Sequence, residues 1–487
     1  MPKTAKTIFG TTEKSNFILN MTPESYYQYN LKILLGFLIL MPLFCIPLEF
    51  FKVYSVPGMA LSIAGVFAIV FVFIGFMKSE TPKKLFLPAC LLGGMLIWGL
   101  VSFYNSYDYL ISIFGDDGRS EGWLSMLFYG GFFLLGAQLG TDDNRLKLLH
   151  GMLWLGLAEC FWSLLQMLPL GFPSYYKSLE PMLIFNVYLP SGLTGSPISL
   201  GVMLSVLLIP ALLEAVSTEN PKRKLLNYIC IFCFSLTAIR TQCLAGVIGI
   251  ILAFVIWLIC ILIKKSGKKA VSCLVIALIG MILGTVWNYV SPSLNGMYTS
   301  ISGETSVSDG IYFYDGGVMW EDSSYRLETS GYYVRNASDN PNGTFDIENI
   351  SDVYHYLWSS TLKIIKSYPL AGSGQDNLVY PQIYQSLIVT ANPNTFDRCG
   401  NYYLQIAGTM GIPMLLLFLA VAVLTAVRGG IAVRKEDNWL HTGIFCTVLL
   451  YLILMFISTG SITVTPLFWM LAGICISLHE PENSSVM

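Results

Sequence analysis

Twelve apolar stretches of spanning length occupy most of this chain and leave few folds open to it. They lie near 32–50, 56–77, 86–104, 122–140, 148–170, 198–217, 225–239, 243–263, 270–290, 403–427, 440–458 and 461–478. A hydrocarbon core of ~30 Å is crossed by roughly 20 apolar residues in a helix. In lipid every backbone polar group must be satisfied within the protein, so runs of this kind are expected as helices. Composition agrees. The chain is 54% hydrophobic and 12% charged, where soluble domains carry about 25% charged residues, and its mean hydropathy is +0.62. The expected fold is an all-α integral membrane protein with about twelve transmembrane helices. The polar first residues precede an apolar run longer than a signal-peptide core, so the first helix is expected to be retained.

Lys and Arg give an orientation. With the N-terminus inside, 19 of the 28 basic residues fall on the cytoplasmic side and 9 outside. The positive-inside rule then places both termini in the cytoplasm. The expected organisation is a cytoplasmic segment 1–31, transmembrane helices one to nine over 32–290, one large extracytoplasmic loop or cap over 291–402, helices ten to twelve over 403–478, and a cytoplasmic tail 479–487. The seventh stretch is short, and Pro466 interrupts the twelfth. The large loop is too long to be structureless in a compact protein. Its segment "DVYHYLWSSTLKIIKSYPL" spaces polar residues by three and four, which predicts one amphipathic helix stopped near Pro369, and "AGSGQDN" follows as a turn.

Several polar residues sit where they could act. "IFGDDGRSEGW" (113–123) precedes the fourth stretch; Arg119, flanked by Gly118 and Ser120, suits a phosphate or a sugar, or a plain charged turn with Asp116 or Asp117. In "LTAIRTQCLAG" (236–246), Arg240 lies between two apolar helices. A charge there faces a cavity or a partner, or snorkels to the interface. "LTGSPISLGVML" (193–204) suits tight helix packing or a backbone lining a pocket, packing being the plainer reading. Glu159 falls inside the fifth stretch, either as a functional carboxylate or as a protonated group bonded to a neighbouring helix. The large loop adds Arg326, Arg335, His355, Lys363, Asp397 and Arg398. Cys230 and Cys233, on one apolar run, read as small hydrophobes rather than a redox or metal pair. Cys243 and Cys399 lie near the outer surface, where a disulfide between them is conceivable. Walker A, zinc-ligand and GxSxG patterns are absent, which argues against ATP hydrolysis and metalloprotease chemistry.

The order of these motifs resembles the O-antigen ligase and polymerase-like family of bacterial glycan-assembly proteins. The resemblance covers most of the chain: "FGDDGRSEG", "LTGSPISLG", "TAIRTQCLAG", the large loop with "LWSSTLKIIKSYPLAGSGQDN", "FDRCGNYYLQIAGTMGIP", and a closing "TPLFWMLAG". It implies a multi-pass protein of the bacterial cytoplasmic membrane. Such a protein moves a glycan from a polyisoprenyl-diphosphate carrier to a lipid or sugar acceptor on the outer face. It implies no nucleotide, metal or other cofactor, and no nucleic-acid partner; the partners are the lipid-linked glycan, its acceptor and membrane lipids. By this resemblance Arg240 matches a family Arg. The position of a family loop Arg, four residues before Trp358, reads Tyr354, and that of a family His, before Asn401, reads Gly400. The residues expected at the site are then His355 and Asp397 for proton transfer, with Arg119, Arg240, Arg326, Arg335, Arg398 and Asn401 on the substrate. Two other functions compete: a degenerate member that binds glycan without transferring it, and a transporter or flippase of an amphipathic substrate with Glu159 as a coupling site.

Overall fold

A computed structural model describes residues 21–45, 56–77, 85–115, 120–167, 183–184, 187–188, 190–194, 196–264, 267–302, 308–314, 317–323, 333–335, 350–378, 381 and 398–478. Among these the chain forms α1 (Pro23–Cys45), α2 (Val56–Met77), α3 (Phe86–Ser102), α4 (Tyr109–Phe114), α5 (Trp123–Ala137), α6 (Asp142–Met167), α7 (Pro197–Ser217), α8 (Pro221–Arg240), α9 (Leu244–Lys264) and α10 (Gly267–Ser302). There follow α11 (Ile350–Ser367), α12 (Tyr402–Met410), α13 (Ile412–Lys435), α14 (Trp439–Leu454) and α15 (Thr465–Ser477). Each of the twelve apolar stretches holds a helix. Seven are long and apolar enough to cross a membrane, and α5, α14 and α15 are shorter apolar helices. The protein is an all-α integral membrane protein, with a two-stranded and a three-stranded antiparallel sheet added in two connecting segments.

Packing follows from small residues and from which helices face outward. The apolar window of α7 is wholly buried, packed against α8, α9 and α14, so α7 is the centre of the bundle. By contrast α9 and α10 expose Ile251, Leu262, Ile263, Val271 and Ile282, the apolar face that lipid would cover. Where helices cross closely, glycines let the backbones meet. A Cβ on Gly280 would lie 2.7 Å from the Phe232 carbonyl oxygen of α8, and one on Gly284 2.8 Å from that of Leu236. In α5 and α15, Gly136 and Gly473 face carbonyl oxygens of the opposite helix, Met470 and Phe133, too closely for any side chain.

The structure differs from the sequence reading in four places. Helix α1 begins at Pro23, nine residues before the apolar stretch and within the expected N-terminal segment 1–31. Its first turns are held by Tyr26, whose buried hydroxyl donates to the Phe71 carbonyl at 3.1 Å. The short seventh stretch is a full helix, because the polar Pro221–Lys224 turn, capped by Asn220, extends it at the start. The tenth stretch is two helices. Gly411 (φ +85°) ends α12, and Pro413, whose missing N–H suits a helix start, opens α13. Pro466 likewise opens α15 rather than interrupting it. The preceding Ser458–Val464 stretch is irregular and buried throughout.

The expected loop over 291–402 is partly regular. Helix α10 runs on to Ser302. Strands β3 (Ser308–Tyr314), β4 (Gly317–Ser323) and β5 (Tyr333–Arg335) form an antiparallel sheet in the order β4-β3-β5, with Ile311 opposite Trp320 and Gly310 opposite Arg335. A second antiparallel pair joins β1 (Leu183–Ile184) to β2 (Val187–Tyr188). Helix α11 is the predicted amphipathic helix. It ends at Ser367 before Pro369, and the 371–378 turn behind it is buried.

Candidate functional site

Alternation of the helices sorts the polar residues into two ends. One end carries Asp142, Arg145, Glu436, Asn438 and His441: Arg145 donates to Asp142 at 2.7 Å, and His441 Nε2 lies 2.9 Å from the same carboxylate. His150 pairs with Glu214 at 2.8 Å, and Lys264 with Asp437 at 2.6 Å. These pairs clamp the ends of α6, α7, α9 and α14. The opposite end gathers nearly every motif named above, and it divides into a cationic side and a carboxylate side.

On the cationic side Arg240 is the last residue of α8 and is fully buried. Its Nε donates to Met167 Sδ at 3.2 Å, its Nη1 donates to Asn288 Oδ1, and its guanidinium lies over the Trp287 ring. Asn288 Nδ2 in turn donates to the Ile239 carbonyl at 3.2 Å, so α10 holds the end of α8. Below it, "LTGSPISLG" packs against "TQCLAG". A Cβ on Gly201 would meet Cys243 Sγ at 2.6 Å and Gly246 Cα at 3.0 Å. The 190–194 turn is gripped by two side chains of α6. Glu159 Oε2 accepts from Leu193 N at 2.6 Å, and Gln166 Oε1 accepts from Gly192 N at 2.8 Å. Glu159 is thus a buried hook for a turn, which accounts for it without a transport role.

On the carboxylate side the "GRSEG" segment supplies Glu121. Arg398, 4% exposed, pairs with Glu121 Oε2 at 3.2 Å and donates to the Gly460 carbonyl at 2.6 Å and to Thr459 Oγ1 at 3.2 Å. The irregular Ser458–Val464 stretch is therefore a receptor for this guanidinium. Gly460 makes the approach possible: a Cβ there would lie 2.7 Å from the Tyr402 ring and 3.1 Å from Glu121 Oε1. The 371–378 turn closes the other wall. Ser373 N and Gly374 N donate to the Gly408 and Thr409 carbonyls at 3.0 and 2.9 Å, which occupies the free C-terminal carbonyls of α12. Gln375 Nε2 donates to the Glu121 carbonyl at 3.0 Å, and Asn377 Nδ2 to Ser112 Oγ at 2.8 Å. Between these walls lies a cavity of ≈ 60 Å³, lined by Glu121, Tyr129, Gln375, Asp376, Tyr402 and Gln405 over an apolar floor that includes Met126, Phe418 and Trp469.

Helix α11 joins the two sides. Tyr354 lies near Cys243, three residues after Arg240, and its hydroxyl donates to the Ile457 carbonyl at 3.1 Å, three residues before Gly460. Burial pushes its phenol pKa up, so it serves as a neutral donor. Backbone strain collects here as well. Among the described residues the only non-glycines with positive φ are Ser120 (52°), Gln242 (51°) and Asp376 (57°). They fall one each in "GRSEG", "IRTQC" and "SGQDN". Such residues cost of order 1–3 kcal/mol and persist where the surroundings over-determine them.

The family model of O-antigen ligase matches residues 229–419. Over that segment the chain is similar to the O-antigen ligase family. No curated protein matches it. The matched segment runs from α8 to α13 and contains Arg240, α11, Arg398 and Asn401. The family points to a membrane glycan-assembly role and to lipid-linked glycans and membrane lipids as partners.

Of the residues expected from sequence, Arg240 and Arg398 are both buried at this end. Asn401 is the N-cap of α12, its Oδ1 accepting from Tyr403 N at 3.0 Å and Leu404 N at 3.1 Å. Arg398 turns to Glu121 and Gly460. His355 is exposed. One residue turns a helix by about 100°, so α11 directs Tyr354 to the bundle and His355 away from the cavity. Arg335 ends β5 opposite Gly310. Arg119, Arg326 and Asp397 lie outside the described residues. Gly400 has φ +65°, a conformation costly for a residue with a Cβ. It is a turn residue in its own right, and a His there would be strained. Cys243 and Cys399 are free and buried, not bridged, and burial pushes the Cys399 thiol up to about 12. Sequence reasoning missed Glu121, although it stands two residues from Arg119, and Gln375 and Asp376. The signal was available in "GRSEG" and "SGQDN": each puts small residues beside carboxylates at a helix end.

Proposed function

We propose that this protein moves a glycan from a polyisoprenyl-diphosphate carrier to a lipid or sugar acceptor at the outer face of the bacterial cytoplasmic membrane, with both termini inside. The observation that carries the reading is the burial of two arginines, Arg240 and Arg398, at one end of a lipid-exposed bundle, within and beside motifs of the matched family segment. A diphosphate leaving group develops negative charge as the glycosidic bond to it breaks. Guanidinium groups suit it because they stay ionised and bind oxygens in a planar fork. Arg240 fits that role, being held from below by Met167 and Asn288 with Trp287 beside it. The apolar outer faces of α9 and α10 offer a surface for the carrier's tail. On this reading α11 and the turn behind it hold the sugars near the reacting bond and so convert a bimolecular step to a local one.

A second reading, a glycan-binding member without transferase activity, draws on Tyr354 and Gly400, which stand where the family's Arg and His are expected. One experiment separates the two. The gene is deleted, and surface glycan and carrier-linked precursor are measured together, with complementation by wild type and by Arg240→Ala at matched protein level. Transferase activity predicts loss of mature glycan, accumulation of precursor, and rescue by wild type alone. Rescue by Arg240→Ala removes the diphosphate role, and unchanged glycan with no precursor favours the binding member.

A further inference from the structure

We propose that Glu121 is the general base of the reaction: it takes the proton from an acceptor hydroxyl that enters the Glu121–Gln375–Tyr129 cavity. This rests on the glycan-transfer reading and supplies the group that Gly400 and the outward-facing His355 do not.

Three independent features lead there. The first is an orphaned polar lining. Tyr129 Oη, Gln375 Oε1 and Trp469 Nε1 are buried with no hydrogen-bond partner. Their residues are 6%, 6% and 2% exposed, and all three line this one cavity. Other buried polar atoms among the described residues also lack partners, but these three converge on one cavity, where an occupant can satisfy them together. This set offers one donor, one acceptor and one hydroxyl that does both, which is the complement of a sugar hydroxyl group. The Gln375 amide nitrogen is already committed to the Glu121 carbonyl, so its oxygen is the end left for a ligand. The second feature is size. A void of ≈ 60 Å³ has room for a few water-sized groups. It takes a hydroxyl or hydroxymethyl arm while the sugar ring stays outside.

The third feature is charge. Glu121 and Asp376 both line the cavity, and Arg398 is engaged with Glu121. Two carboxylates repel a diphosphate and accept a neutral hydroxyl donor. The cavity therefore belongs to the acceptor, and the diphosphate to the Arg240 side. Arg398 holds Glu121 Oε2, while Oε1 lies on the Gly460 and Thr465 side. Arg398 is thus a positioning residue: it holds the Glu121 carboxylate in place at the cavity wall.

The step balances without a further reactant. The acceptor O–H bond breaks and its proton passes to Glu121. The acceptor oxygen forms a bond to the anomeric carbon. The bond from that carbon to the diphosphate oxygen breaks, and the pair of electrons leaves with the polyisoprenyl diphosphate. Water at the cavity mouth then takes the proton from Glu121.

The test uses full-length protein in lipid nanodiscs, with carrier-linked precursor extracted from the deletion strain as donor and the host's own envelope acceptor fraction. Glu121→Gln keeps size and hydrogen-bonding shape but cannot take a proton. General-base catalysis contributes typically 10²–10⁴-fold, so kcat is expected to fall by about 100-fold or more, with the apparent KM for acceptor changed by less than about threefold. Glu121→Ala is expected to regain at least about tenfold in rate when formate is added, a response that a merely structural carboxylate would not give. His355→Ala, away from the cavity, is expected to keep wild-type rate. Transfer by Glu121→Gln above a tenth of wild type overturns the assignment while leaving glycan transfer intact. So does a Glu121→Ala variant that folds, judged by its elution and melting, yet ignores formate. Absence of transfer by wild type overturns the glycan-transfer reading itself, and the assignment with it.

Discussion

Removing Arg398 should unsettle this end of the bundle through Glu121, and a double-mutant cycle can measure by how much. Arg398 is 4% exposed and Glu121 18%, so the pair is mostly out of water without being sealed. Breaking a buried pair from one side costs about 3–5 kcal/mol, because a charge is left uncompensated. A hydrogen bond to a charged group, such as that from Arg398 to the Gly460 carbonyl, contributes about 1.5–3 kcal/mol. The residual exposure of Glu121 and the cavity beside it let water in, which offsets part of this loss. Arg398→Met is therefore expected to destabilise by about 3 kcal/mol, at the low end of the range for a broken pair. Glu121→Gln should cost less, about 1–2 kcal/mol, since the amide still accepts a hydrogen bond from the guanidinium. The two changes together should cost little more than Arg398→Met alone, a coupling of about 1–2 kcal/mol. Unfolding in mixed detergent–SDS micelles, followed by tryptophan fluorescence, reads all four proteins. Single effects that add to within about 0.5 kcal/mol would refute the argument, because residues that share an ion pair do not behave independently.

Two further predictions concern the scaffold around the site. Glu159→Ala removes the acceptor of Leu193 N and should lower stability by about 1–3 kcal/mol in the same assay, the cost of a buried donor left alone; Glu159→Gln, which keeps a carbonyl oxygen, should recover most of that loss, and equal losses would show that the hook does not operate. Gly473→Ala drives a methyl into the Phe133 carbonyl of α5 and should cost more than the ~1–3 kcal/mol of ordinary overpacking, seen as loss of folded protein in membranes. Gly93→Ala, with open space around the new methyl, should be neutral or slightly stabilising.

How much was legible in the sequence differs between scaffold and site. The apolar runs give the helices because burial in lipid leaves no other secondary structure to them. The boundaries move where a residue acts through something other than hydropathy. Tyr26 starts α1 early by packing under α2. Gly411 and Pro413 break one apolar run in two. The site was legible only in part, for a physical reason. Arg240 stands out because a charge at the end of an apolar helix is rare. Glu121 does not, because a carboxylate in a polar loop looks like any solvated one until Arg398, 277 positions later in the numbering, folds against it. His355 misled for the opposite reason: its neighbour Tyr354 takes the inward face of α11, and sequence spacing alone does not say which of two adjacent residues a helix turns to the core.

The departures at Tyr354 and Gly400 bear on whether the site is decayed or rearranged, and energetics favours rearrangement. In a decayed site the lost groups would leave gaps. Here Tyr354 donates to the Ile457 carbonyl and packs edge-on to Trp358, and Gly400 occupies a left-handed turn suited to it. The charges also stay. Taking a guanidinium out of water costs several kcal/mol, and a well-packed apolar group in its place is often as stable or more so. Arg240 and Arg398 therefore add little to stability that apolar side chains could not supply. The same holds for the strained Ser120, Gln242 and Asp376, each of which a glycine would relieve. The end that bears Arg240 and Arg398 buried, the three left-handed non-glycines and a cavity with unpartnered polar atoms carries costs that a substrate would repay.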